Sequence, residues 1–231
     1  MNQQQLLTVL YDVSTWVIPA ILAITLHEAA HGFVAWWCGD PTAKRLGRVS
    51  LNPIRHVDPF GTILLPGLLL LLRAPFLFGY AKPVPVDFRA LNNPRRDMVL
   101  VAAAGPATNL LLAIAAGFLV HLAVTLPEAL GQWTLLNLRN AILINVILAV
   151  FNMLPLPPLD GGRVLVGLLP RVLATPLARL EPYGMMILIG LLFILPMVGG
   201  QLGLDLNVVG WLMRGPMDAV IDGVLRLTGN G

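Results

Sequence analysis

Four stretches of this chain stay apolar for close to the thickness of a lipid bilayer: about residues 15–38, 97–126, 135–154 and 183–198. A helix rises about 1.5 Å per residue and the hydrocarbon layer is about 30 Å thick, so about 20 apolar residues span it. Charged residues make up 12% of the chain, about half the share in soluble domains. The chain therefore reads as an all-α polytopic membrane protein with about four to six membrane-embedded helices. Its first run, with a helical lead-in from Leu6, lacks a basic leader and a small-residue cleavage site, so it is expected to stay in the mature protein. The net charge of +3 is carried in the loops between apolar runs. There it sets orientation in a bilayer, and no nucleic-acid partner is expected. Cys38 is the only cysteine, which excludes an intrachain disulfide.

Between the first two runs the pattern is less regular. Residues 60–79 are apolar but interrupted by Pro66, Gly67, Arg73 and Pro75. The following YAKPVPVDF, 80–88, alternates and carries two prolines. The region around 60–90 is thus expected to be re-entrant and then extended, the 80–88 stretch serving as an edge or a loop. A short helix is expected over 162–174. At 207–229, Val208, Trp211, Leu212, Val220, Val224 and Leu227 fall near helical spacing with Asp218, Asp222 and Arg226 between them. That pattern reads as an interfacial C-terminal helix. Residues 1–231 form a single domain in this reading.

The first run contains HEAAH, residues 27–31. On a helix His27 and His31 lie one turn apart on one face, where two imidazoles can bind one zinc ion. Glu28 points about 100° away, near the metal and placed to take a proton from water. A lone histidine in an apolar helix is usually a hydrogen-bonded core residue. Three ionisable groups on one spanning helix are different. Each costs on the order of 2.5–3.5 kcal/mol at mid-bilayer, and a shared metal offsets that cost.

A catalytic zinc needs a third protein ligand. Asp160, in NMLPLPPLDGGR after the third run, is the best candidate; the alternative is a Pro- and Gly-rich loop turn. Prolines hold the backbone before it extended, and Gly161 and Gly162 allow close approach to the site. Sidedness separates two topologies. Lys44, Arg45, Arg48 and Arg55 put the end of the first run in the cytoplasm. If 60–79 is re-entrant, Asp160 emerges on that same side; if it spans fully, Asp160 lands opposite, and Arg89, Arg95 and Arg96 are exported. The re-entrant topology is preferred, with the active site towards the cytoplasmic side of the cell membrane.

Five motifs together resemble the site-2 protease family of intramembrane zinc metalloproteases, peptidase family M50. They are LHEAAHG at 26–32, SLNPIRHVDPFGT at 50–62, FGYAKPVPVDFRALNNPRRDM at 78–98, AGPATN at 104–109 and NMLPLPPLDGGR at 152–163. The resemblance implies a Zn2+ cofactor held by His27, His31 and Asp160, with Glu28 as catalytic acid/base. It implies that Asn152 lies near the metal and holds substrate or an oxyanion. Asn109 and His56 occupy motif positions as well, as site-adjacent residues. It also implies regulated intramembrane proteolysis of a transmembrane protein substrate. The PDZ domain and CBS pair of many members have no counterpart in these residues, so a minimal catalytic form is expected. The competing reading is a non-proteolytic metal-binding or metal-transporting membrane protein, which has no need of Glu28.

Overall fold

A computed structural model of the protein describes residues 2–64, 68 and 82–231. Among the described residues it is helical, without a strand. Helix α1 spans Gln3–Trp37, α2 Thr42–Arg45, α3 Pro94–Ala123, α4 Glu128–Asn152, α5 Asp160–Leu168 and α6 Arg171–Ala178. Helix α7, Glu181–Ile189, continues through a π-helical stretch, Gly190–Ile194, into α8, Leu195–Leu202; α9 is Val208–Leu227. Helices α1, α3 and α4 and the stretch Glu181–Gln201 are long and apolar enough to cross a membrane. The re-entrant segment expected at 60–79 lies for the most part outside the described residues.

Helices α1, α3 and α4 pack together as the centre of the molecule. Lipid gives apolar helices little reason to associate, so small side chains and interhelical hydrogen bonds carry the contact. Trp133 Nε1 of α4 donates to Ser14 Oγ of α1 at 2.9 Å, and Asn140 Nδ2 donates to the Thr15 carbonyl at 3.0 Å. Ala113 and Ala116 of α3 meet Ile142 and Val146 of α4 in the principal core. These pairings set the first half of α4 beside the first half of α1, and Asn152 at its end shares a cavity with His27 and Glu28 in the second half of α1.

Helix α1 stops where Gly39 takes a left-handed φ of 105°. Asp40, fully buried, then ties two segments together. Its Oδ1 accepts from Thr42 N–H at 2.9 Å and its Oδ2 from Asp87 N–H at 2.8 Å. Lys82 N–H donates to the His56 carbonyl at 3.0 Å, and the Arg48 guanidinium donates to the carbonyls of both Arg55 and Lys82. Residues 56 and 82 therefore meet at the end of the bundle where α1 stops. Asn92 N–H, donating to the Cys38 carbonyl at 2.8 Å, brings the start of α3 to that same end.

One element differs from expectation. The helix expected over 162–174 is two helices, α5 and α6. Leu169, at φ −67° and ψ 148°, is extended because Pro170 follows it. Arg95 Nε caps the end of α5 through the Gly167 carbonyl at 2.8 Å, so this arginine has a structural task beyond setting orientation. Helix α9, the one expected in the interface, packs along α3 and α4. Leu212 and Pro216 sit near Met153 and Leu154, and His121 Nε2 donates to the Thr228 carbonyl at 2.6 Å further along. Ala113 and Ala116 leave a shallow groove in which Val224 is buried, so protein rather than lipid covers that face.

Candidate active site

The HEAAH segment is helical within α1, and its two histidines stack one turn apart as 3.6 residues per turn requires. Their Nε2 atoms are 3.0 Å apart. Asp160 is the first residue of α5, and its Oδ2 lies 3.3 Å from each Nε2. Asp160 thus reaches the histidines from a helix start rather than from a loop. A Cβ on Gly161 would overlap the Met153 carbonyl, and one on Gly162 would overlap the backbone at Pro157. These glycines let α5 fold back tightly onto its own preceding loop; the approach they permit is to that loop, not to the imidazoles.

The remaining ring nitrogens define what the cluster can hold. His27 Nδ1 donates to Asn109 Oδ1 at 2.5 Å, and His31 Nδ1 donates to the Val101 carbonyl at 2.6 Å. With both Nδ1 atoms serving as donors, each neutral ring turns an Nε2 lone pair inward. Asp160 Oδ2 adds a third lone-pair donor, buried and without a hydrogen-bond partner. Ligands about 2.0–2.1 Å from a tetrahedral zinc ion lie about 3.3–3.4 Å from one another. The observed 3.0, 3.3 and 3.3 Å are close to that, so the three residues fit a zinc ion with one position left open.

The cluster opens into a cavity of about 530 Å³. Glu28, Asn152, Val84, Phe88 and Arg163 are among the residues around it. Glu28 Oε2 accepts from Val84 N–H at 2.7 Å, which fixes the carboxylate from the opposite wall. Asn152, on the last turn of α4, donates through Nδ2 to the Leu148 carbonyl at 3.0 Å. His56 is not on the cavity wall: it is 2% exposed and its Nε2 donates to the Ser50 carbonyl at 2.8 Å. Asn109 does not line the cavity either; it stands behind His27 with no exposed surface. Residues 82–87 are irregular, and three of their four non-proline amides are committed to His56, Glu28 and Asp40. The expected edge therefore turns its donors inward.

Four contributors had no mark of their own in the sequence reading. They are Gly105, Asn145, the Val101 carbonyl and the Val84 amide. A Cβ on Gly105 would lie 2.5 Å from Nε2 of both histidines, so the gap at this position in α3 is the room the cluster occupies. Glycine within a helix costs about 1 kcal/mol relative to alanine, and that cost was the available signal. Asn145, 3% exposed, accepts from Asn109 Nδ2 at 2.7 Å.

Comparison with known proteins agrees with this geometry. The model of the family described as "Peptidase family M50" matches residues 128–195, which hold α4, Asn152 and Asp160. A Bacillus subtilis protein named "Putative zinc metalloprotease YwhC" is 41% identical over 189 residues, covering 78% of this chain and 80% of its own. Rip2 of Mycobacterium tuberculosis, under the same designation, is 30% identical over 192 residues, covering 83% of this chain and 70% of its own. Rip2 of Mycolicibacterium smegmatis is 29% identical over 172 residues, covering 74% and 64% respectively. No solved structure matches significantly. With a YwhC-like sequence over most of its length and apolar helices converging on two histidines and an aspartate, the chain belongs to peptidase family M50, the site-2 protease family of metalloproteases.

Proposed function

We propose that this metalloprotease is an intramembrane endopeptidase that hydrolyses peptide bonds in or beside the transmembrane segments of membrane-protein substrates. The observation that carries the reading is the buried, convergent set of His27 and His31, on an apolar helix, and Asp160, at the start of α5, with Glu28 on the same cavity wall. These three side chains would hold a zinc ion, which when bound supplies a Lewis acid and lowers the pKa of water towards about 7.

Glu28 takes the proton from the attacking water and returns it to the leaving amine. Its Oε2 is held by the Val84 amide, so Oε1 is the atom assigned to carry that proton. Asn152 uses one amide hydrogen on the Leu148 carbonyl and turns the other to the developing oxyanion. Losing such a donor typically costs about 2.7–4 kcal/mol. The substrate helix has to unwind locally, because its amides are paired internally while it remains helical. The basic residues at the end of α1 favour a site reached from the cytoplasmic side.

The test compares wild type with Glu28→Gln. The variant is expected to keep its zinc and to lose cleavage of a reconstituted single-pass substrate by at least about 100-fold. In membrane fractions of cells carrying the variant, an uncleaved single-pass protein should accumulate. Undiminished proteolysis by Glu28→Gln would refute the proposal.

A further inference from the structure

We propose that Asn145 is a positioning residue that sets the tautomer of His27 through Asn109. The inference rests on the reading of His27 as a metal ligand and goes beyond it. Asn145 and Asn152 are seven residues apart on α4, two turns along one face. Asn152 reaches the cavity, whereas Asn145 lies behind the cluster. The Asn145 side chain is fixed at both ends. Its Nδ2 donates to the Ala141 carbonyl at 2.8 Å, which turns Oδ1 towards Asn109.

Asn109 is a symmetrical-looking amide with no exposed surface, and only its hydrogen bonds decide which end faces His27. Two acceptors hold its Nδ2: Asn145 Oδ1 at 2.7 Å and the Ala23 carbonyl at 3.2 Å. The shorter bond is the one Asn145 makes. With Nδ2 so held, Oδ1 faces His27 and accepts the Nδ1 proton at 2.5 Å. The proton on Nδ1 leaves the Nε2 lone pair for the ion. Were the Asn109 amide reversed, Nδ2 would face His27 Nδ1. The ring proton would then move to Nε2, pointing an N–H at Asp160 and His31 where a lone pair is needed. Asn145 thus excludes the wrong tautomer at a distance of two residues.

The test is zinc affinity of the purified full-length protein, measured by competition with a chromogenic chelator. Asn145→Leu keeps a similar volume and removes the acceptor. Its affinity should fall about 10–100-fold, the range for lost outer partners of a ligating histidine. Asn109→Asp in that background offers an oxygen to His27 in either orientation and no longer depends on Asn145. The double variant should recover most of the lost affinity. An Asn145→Leu variant that binds zinc like wild type overturns the proposal. So does a loss that Asn109→Asp fails to reverse, since damage to packing would not be rescued by a carboxylate. Wild-type protein that takes up no zinc would instead overturn the metal reading itself, so the two failures are distinguishable.

Discussion

Gly105 shows how much a single missing methyl group can decide. Helix propensity alone would favour alanine there by about 1 kcal/mol. The added carbon would lie 2.5 Å from both Nε2 atoms, in the space a metal would share. Gly105→Ala is therefore expected to remain folded in detergent and to lose stoichiometric zinc, measured by elemental analysis of purified protein; one zinc per chain would disprove the assignment. Asn152→Ala should separate differently, with zinc retained and kcat reduced about 10²–10³-fold on a reconstituted substrate. The histidines and Glu28 were legible because ionisable groups are costly in an apolar run and have to answer to something; Asp160 was legible because two histidines leave a catalytic zinc one protein ligand short. Asn145 was not, since one amide in a spanning helix looks like ordinary interhelical glue of the kind Asn140 provides. The Val101 carbonyl and the Val84 amide are backbone groups, and their direction is a property of the fold alone.

At the scale of elements, the irregular stretch 82–87 is held by α1 and by the segment just after it. Glu28 grips Val84 and Asp40 grips Asp87. Asp40→Ala leaves two part-buried amides, those of Thr42 and Asp87, without their partner, each costing at most about 1–3 kcal/mol. Hydrogen exchange at 82–88 should accelerate while α3 and α4 keep their protection. Activity should fall with zinc content unchanged, because Glu28 loses its steady support. Equal exchange in both proteins would show that the stretch is held by other contacts. Helix positions were readable from apolar runs, but two outcomes needed more. The break at Leu169 was written in Pro170 and outvoted by the apolar pattern around it. The groove that receives α9 depends on Ala113 and Ala116 facing one another's neighbours across two helices, a relation that no local pattern encodes.

For the whole molecule, the end of α1, the start of α3 and the end of α4 share one side of the bundle, and the 124–127 connection lies at the other. Leu46 and Thr125 are exposed positions at these opposite ends. In a Cys38→Ser background, Leu46→Cys should react with a membrane-impermeant thiol reagent only from the cytoplasmic face, and Thr125→Cys only from outside. Labelling of both from one face would refute the proposed orientation. The cluster also binds α1 to α5 across the bundle, so a chelator should lower the thermal midpoint of purified protein, and added zinc should restore it.

The three groups proposed to hold the zinc ion are separated by more than half the chain: two sit near residue 30, and the last is residue 160. During synthesis the leading helix enters the bilayer long before its carboxylate partner has left the ribosome. An unfinished polypeptide therefore carries a dormant pair of imidazoles, unable to assemble a hydrolytic centre among newly inserted neighbours. Nascent chains arrested before residue 160 should retain no zinc through purification, whereas those extended past α5 should. Competence thus arrives as a late, all-at-once event, timed by the order in which the gene is read.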